Sequence, residues 1–199
     1  MNRVRIVLAV ALVLMLSSLA MSAPESSQLG PYGITFDLNT DLGYTVTEQE
    51  PQVMESATIY LLQISTDNTT GANVIINQFN ELVDATLAPQ KQISIMAAAF
   101  SGYNVTSLDD IIIDGKEGYV VSAVPSSFNT MVPADLNRYE AIYWLDSAKC
   151  DCGPVSVGTT SVGITSTYPE DVTMNLINSL RIVKGEAVAA ANAQVLPPA

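Results

Sequence analysis

The chain has 199 residues, with 8 basic and 20 acidic side chains, two cysteines and no histidine, for a net charge of −12. Such a surface repels phosphate backbones and anionic lipid, which argues against a nucleic-acid partner. Without histidine the commonest general base and metal ligand is missing, as is every Ser-His-Asp or Cys-His arrangement, so the chain reads as a non-enzyme with no cofactor or metal.

The N-terminus opens on Met1-Asn-Arg-Val-Arg5, continues as an unbroken apolar run from Ile6 to Met15, and reaches small residues at Ala20-Met21-Ser22. A basic start, an apolar stretch and small residues at a cut site form the pattern of a secretory signal, here over 1–22. An uncleaved anchor is the alternative, because the charge-free span reaches the lower limit for a membrane helix, about 17 residues. Loss of Arg3 and Arg5 with the leader leaves six basic against twenty acidic residues, a net charge of −14. The expected location is secreted or extracytoplasmic, with membrane contact only through a retained N-terminal segment. The remaining length suits one domain, 28–184, and the Ala-rich stretch 185–199 reads as a disordered tail.

Tyr32, Ile34 and Phe36 alternate with Gly33 and Thr35, and after the turn-like Asp37 to Asp41 the alternation resumes at Tyr44 and Val46, predicting a first hairpin. Ala57 to Ser65 and Asn73 to Phe79 are β-rich runs around a polar turn from Thr66 to Gly71. From Asn80 to Ser101, Leu82, Val83, Leu87, Ile93, Met96, Ala97 and Phe100 recur at helical spacing. This predicts a short helix, a break near Ala88 and a second helix from Pro89 to about Phe100, with Met96 packed inward.

The strongest local signal is Ile111-Ile-Ile113, Asp114-Gly115 and Lys116 to Val124. A type I′ turn requires positive φ at both central residues, which Asp tolerates and Gly accepts freely, so a hairpin is expected with Asp109, Asp110 and Asp114 as solvated turn residues. Pro125 to Asn137 is loop-like, and Arg138 to Leu145, apolar on both faces, reads as a central strand or one that sets Trp144 against a helix. Val155 to Ser166 reads as a further strand or strand pair, with Gly158 and Gly163 marking a bulge or a bend. Thr167-Tyr-Pro-Glu170 has the capping-box spacing before a helix striped by Val172, Leu176, Ile177 and Leu180. Leu180 to Val183 closes the domain as a short strand or a helix end.

In order and pattern these pieces resemble the PsbP-like fold, a group of photosystem extrinsic proteins, Ran-binding transport factors and secreted proteins. The likeness rests on Tyr32-Gly-Ile-Thr-Phe36, on Ile113-Asp-Gly-Lys116 leading into Tyr119-Val-Val121, and on Pro169-Glu170 with Ser179-Leu-Arg-Ile-Val183. Leu38-Asn39 and Tyr44 stand where that group usually carries a Pro and then a Trp. The resemblance implies an α+β fold, an antiparallel sheet of about six or seven strands packed against helices, with binding or assembly roles and no shared catalytic residue.

Two features remain as candidate sites. Lys149-Cys150-Asp151-Cys152-Gly153-Pro154 offers a disulfide, between Cys150 and Cys152 or between chains, or a labile thiol-redox pair in a small strained ring. Asn68-Thr-Thr70 and Asn104-Val-Thr106 are glycosylation sequons at Asn68 and Asn104. The expected function is a non-catalytic extracytoplasmic module that binds another protein or a cell-envelope component. A thiol-redox protein working through the Cys-Asp-Cys loop is the alternative.

Overall fold

The computed structural model describes residues 24–185, apart from 68, 129–131 and 152. The expected signal over 1–22, the tail beyond Gly185, Asn68 and Cys152 lie outside the described residues. Two sheets account for most of what is described. The smaller has the order β1 (Glu25–Leu29), β2 (Tyr32–Phe36), β12 (Arg181–Lys184). The larger has nine strands, all antiparallel. It runs from β3 (Thr45–Glu48) through β5 (Ala57–Ser65), β6 (Gly71–Asp84), β11 (Ser156–Ser166) and β9 (Arg138–Trp144) to β8 (Lys116–Pro125) and β7 (Tyr103–Ile113). Short strands β4 (Gln52–Val53) and β10 (Ala148–Lys149) attach to β5 and β11. Helix α1 (Leu87–Phe100) and helix α2 (Glu170–Ser179) complete the described elements.

The expected α+β class is overturned. Strands make up 54% of the structure against 15% for its two helices, a largely β fold. Part of the reason lies at Asn80 to Asp84. These residues extend strand β6 instead of forming a helix, since Val83 and Asp84 pair with Gly158 and Val157. Sheet pairing thus overrides the local helical spacing. Pro89 then falls in the first turn of one continuous helix, where its missing N–H is not needed.

The first hairpin is also corrected. Both strands exist, but β2 pairs with β1 and β12, whereas β3 pairs with β5 in the other sheet. The chain between them passes from one layer to the next. This makes one face of the large sheet a sandwich core: Ile34 and Phe36 of β2 and Leu176 and Ile177 of α2 belong to one buried cluster with Val74, Ile76, Val162 and Ile164. Leu176, Ile177 and Leu180 are fully buried, so the predicted stripe of α2 is the packed one.

Several polar contacts lock this layer. Ser179 Oγ accepts from the Asp37 amide at 2.8 Å and donates to the Asp37 carbonyl at 3.0 Å, tying the end of α2 to the end of β2. Asp114 and Gly115 adopt φ of 51° and 71°, the paired positive values of a type I′ turn. Asp114 is not a solvated turn residue, however. Its Oδ2 accepts from the Ile182 amide at 3.0 Å and its Oδ1 lies 3.8 Å from Arg181 Nε, clamping the β7–β8 turn to β12. The capping box is overturned as well. Thr167 Oγ1 donates to the Thr69 carbonyl at 2.8 Å, and α2 begins after Pro169 with no side-chain cap. The Thr167 hydroxyl is taken by the β5–β6 turn, which the folded chain brings beside it.

Two glycines of β11 behave in opposite ways. At Gly158 a Cβ would meet the Trp144 ring at 2.9 Å, and the register shift falls between Gly158 and Thr160, as the expected bulge requires. At Gly163 a Cβ would meet nothing within 4 Å. Gly158→Val is therefore expected to lower stability by about 1–3 kcal/mol through overpacking. Gly163→Ala should be neutral or gain about 0.5 kcal/mol, because alanine is less costly than glycine to order in a strand. Urea-unfolding midpoints of the two variants check both.

Candidate functional site

The second face of the large sheet carries the candidate site. Side chains alternate along each strand, so the cross-strand rows on this face follow from the register. One row is Leu61, Ile75, Gly163, Ile142 and Tyr119, and its neighbour is Gln63, Asn73, Thr165, Glu140 and Val121. Among the described residues, helix α1 lies over the β7–β8–β9 side of these rows, with Val132 packed beside it against Ala98, Tyr103 and Ala123. Ala98 packs with Tyr103 and Ala123, and the Ser94 hydroxyl donates to Glu140 Oε1 at 3.0 Å and lies 2.9 Å from the Tyr119 hydroxyl. With its hydrogen committed to Glu140, Ser94 accepts from Tyr119, whose pKa burial pushes up to about 12. Near the start of the helix, Trp144 Nε1 donates to Gln90 Oε1 at 3.1 Å, and the indole stacks on Phe79 at 5.9 Å. Trp144 is thus set against a helix, and β9 is central, between β11 and β8.

The inward face of α1 carries Leu87, half-buried at its start, and then Gln90, Ser94 and Ala98, small or polar residues that let the helix backbone approach the sheet. Met96 does not pack inward as the apolar spacing predicted. It is 55% exposed, alongside Ile93 at 65% and Phe100 at 86%. Ile93, Met96, Ala97 and Phe100 form an outward stripe at i, i+3, i+4 and i+7. Lys91 pairs with Asp110 of β7, so its flank faces that edge. A step of 100° per residue then turns Ile93, Ala97 and Phe100 to the opposite flank, over the strands α1 leaves open.

That open half comprises β11, β6 and β5. Leu61 and Ile75 are half-buried there, Ile142 is half-buried on the neighbouring β9, and no described atom lies within 4 Å of a Cβ placed at Gly163. Flanking polar groups are paired among themselves: Asn73 Nδ2 with Thr165 Oγ1 at 3.4 Å, and Asn77 Nδ2 with Ser161 Oγ at 3.2 Å. At the β5–β6 turn the groove widens into a cleft of about 370 Å³ lined by Gln63, Asn73, Thr165, Tyr103 and Arg138. Arg138 lies 6.0 Å from the centroid of the Tyr103 ring, and its guanidinium is 3.9 Å from Glu140. Apolar floor, apolar flank and self-satisfied polar rows suit adhesion. Among the described residues no group of three His, Cys, Asp or Glu could hold a metal ion, and no helix is long and apolar enough to cross a membrane.

The residues singled out from sequence lie away from this groove. Cys150, at the tip of the β10–β11 hairpin, is disulfide-bonded, and its amide donates to the Val155 carbonyl at 2.9 Å. The only other cysteine in the sequence is Cys152. The tip lies at the opposite end of β11 from the cleft, about 30 Å of strand away. Asn104 is exposed on edge strand β7, next in sequence to Tyr103 of the cleft, with its side chain on the opposite face of the strand. The structure thus brings neither Cys150 nor Asn104 to the groove. Sequence reasoning missed the groove itself. Its one signal was Ser94 and Ala98, a small-residue pair at i and i+4 on the side of α1 opposite Ile93, Met96 and Phe100.

The hairpin holding Cys150 is braced by Asp146, whose carboxylate accepts from the Thr159 and Thr160 amides at 3.1 and 2.9 Å and from the Thr159 hydroxyl. Burial alone would raise its pKa, but these hydrogen bonds outweigh it and hold the pKa below the ordinary 3.8. A depressed carboxylate stabilises the fold above its unfolded pKa, and this contribution is lost as pH falls through the folded value. Asp146→Asn is therefore expected to unfold more readily than the parent at neutral pH, by about 1–2 kcal/mol. The difference should shrink below pH 3.8, as thermal melts across that range would show. No protein-family model matches the chain, and no curated protein matches it.

Proposed function

We propose that this protein is a non-catalytic extracytoplasmic interaction module that binds through the half-open second face of its large sheet. One observation carries the reading: Ile93 and Phe100 are more than half exposed on a helix flank that overlooks a half-buried apolar floor, with Met96 exposed next to them. Large side chains left out of the core in one contiguous patch mark a contact surface. The basic, apolar and small-residue order of 1–22 supports export, and a disulfide at Cys150 is in keeping with an oxidising compartment. The resemblance of several segments to PsbP-like proteins points to the same kind of role, binding and assembly without shared catalytic residues.

A second reading, thiol exchange at the hairpin tip, draws on the disulfide at Cys150 and on the exposure of Lys149 and Asp151 beside it. It predicts that a mild dithiol opens the bond in the folded protein and that Cys150→Ser abolishes exchange with a thiol substrate. A bond that resists reduction until the protein unfolds rules this reading out.

The binding reading is tested by the native size of the exported protein in extracts of its source. The parent is expected in a species larger than the monomer, and an Ile93→Lys/Phe100→Lys double variant as the monomer with an unchanged melting temperature, since both side chains already face solvent. Identical native sizes for parent and variant would overturn it.

A further inference from the structure

Beyond the exposed flank of α1, we infer that the cleft at the β5–β6 turn is a binding site for one unit of a neutral saccharide. None of the described residues lining it belongs to α1, and its chemistry is independent of that flank. Two kinds of polar group meet there. Those of the turn are spent: Asp67 Oδ1 accepts from the Thr69 and Thr70 amides, both at 2.7 Å, and from the Thr69 hydroxyl at 2.9 Å. Thr167 Oγ1 donates to the Thr69 carbonyl and accepts from the Gly71 amide at 3.0 Å, so this wall is rigid. The groups that face it from the sheet have bonding capacity left. Among the described residues the Gln63 side-chain amide and the Arg138 guanidinium make no hydrogen bond, and the Asn73 carboxamide makes one, the long 3.4 Å contact to Thr165. Arg138 is still held in place, by the face of the Tyr103 ring and by Glu140.

Charge and hydrogen-bonding capacity decide the class of ligand. Among the described lining residues Arg138 is the one cation, Asp67 lines the cleft as well, and Glu140 lies 3.9 Å from the guanidinium. An anion drawn to Arg138 meets these carboxylates, and a cation meets the guanidinium, so neither sign is favoured. The unspent groups are of both kinds: guanidinium and amide N–H donors, and amide carbonyl acceptors. A hydroxyl both donates and accepts, so a sugar ring engages both sets at once, which a carboxylate or an ammonium group does not. Size agrees with this class. A water takes about 30 Å³ in the liquid, so a cleft of about 370 Å³ holds about a dozen water-sized groups, the scale of one hexose ring with its hydroxyls. Tyr103 is buried and its face is taken by Arg138, so no aromatic ring is offered for stacking and the expected affinity is millimolar.

Titration of the isotope-labelled exported chain with glucose, galactose, mannose and N-acetylglucosamine, followed by amide NMR shifts, tests the site. Glucuronate and glucosamine serve as the anionic and cationic controls. At least one neutral sugar is expected to shift the amides of Gln63, Asn73, Arg138 and Thr165 to saturation, and to bind more tightly than either charged control. Gln63→Ala, which changes an exposed side chain, should weaken binding about fivefold through the loss of one hydrogen bond. Arg138→Gln should weaken it about tenfold or more, because a charged donor is lost. Val53→Ser, on β4 where it pairs with Thr58 at the other end of β5, and the Ile93→Lys/Phe100→Lys variant should bind as the parent does. No shift with any of the four neutral sugars up to about 0.1 M overturns the site. So does tighter binding of glucuronate or glucosamine, or binding indifferent to both Gln63→Ala and Arg138→Gln. A methyl glycoside that binds as well as its free sugar assigns the cleft to the end of a glycan chain, and one that is excluded assigns it to a free sugar; the saccharide site stands in both cases.

Discussion

The two ends of the described chain close one face of the large sheet, and the rest of the structure depends on that closure. Strand β2 pairs with β12, joining Tyr32 to Lys184 and Thr35 to Arg181, so the sandwich core cannot form until residues about 150 apart meet. Ser179 with Asp37, and Asp114 with the Ile182 amide, then fasten helix, strand and hairpin turn to the same seam. The buried cluster spans both sheets and α2, from Leu29 to Ile182.

Among the described residues the second face has no comparable lid. Helix α1 is held there by a short polar chain, Tyr119 to Ser94 to Glu140, by the Trp144–Gln90 bond and by alanine contacts. A helix seated on small residues rides low over the sheet and turns its large ones away. The same choice that anchors α1 therefore creates the exposed stripe, and the uncovered strands beside it supply a complementary floor. Structure and binding surface have one cause.

The chemistry that drew attention in the sequence sits elsewhere. Cys150 crowns a hairpin braced by Asp146, at the end of β11 away from the polar cleft, and its surroundings are those of a stiffened turn. Arg138 and Glu140 face the groove from β9, the strand whose two apolar faces marked it as central.

What the sequence by itself determined is local. Asp114-Gly115 specified a type I′ turn through its φ requirements, the β-branched run from Ala57 to Ser65 specified strand β5, and Val172 to Leu180 specified the buried stripe of α2. Each rests on forces acting within a few residues. Pairing, side and accessibility were decided by the tertiary structure. Asn80 to Asp84 became strand because β11 lay beside it, Thr167 was drawn from its cap by the Thr69 carbonyl, and Asp114 was claimed by β12. Periodicity locates an apolar stripe on a helix such as α1, but whether that stripe turns inward depends on what the sheet opposite it offers. Here a tyrosine, a glutamate and a tryptophan with an indole N–H to satisfy selected the small polar side of α1, leaving Ile93, Met96 and Phe100 facing out.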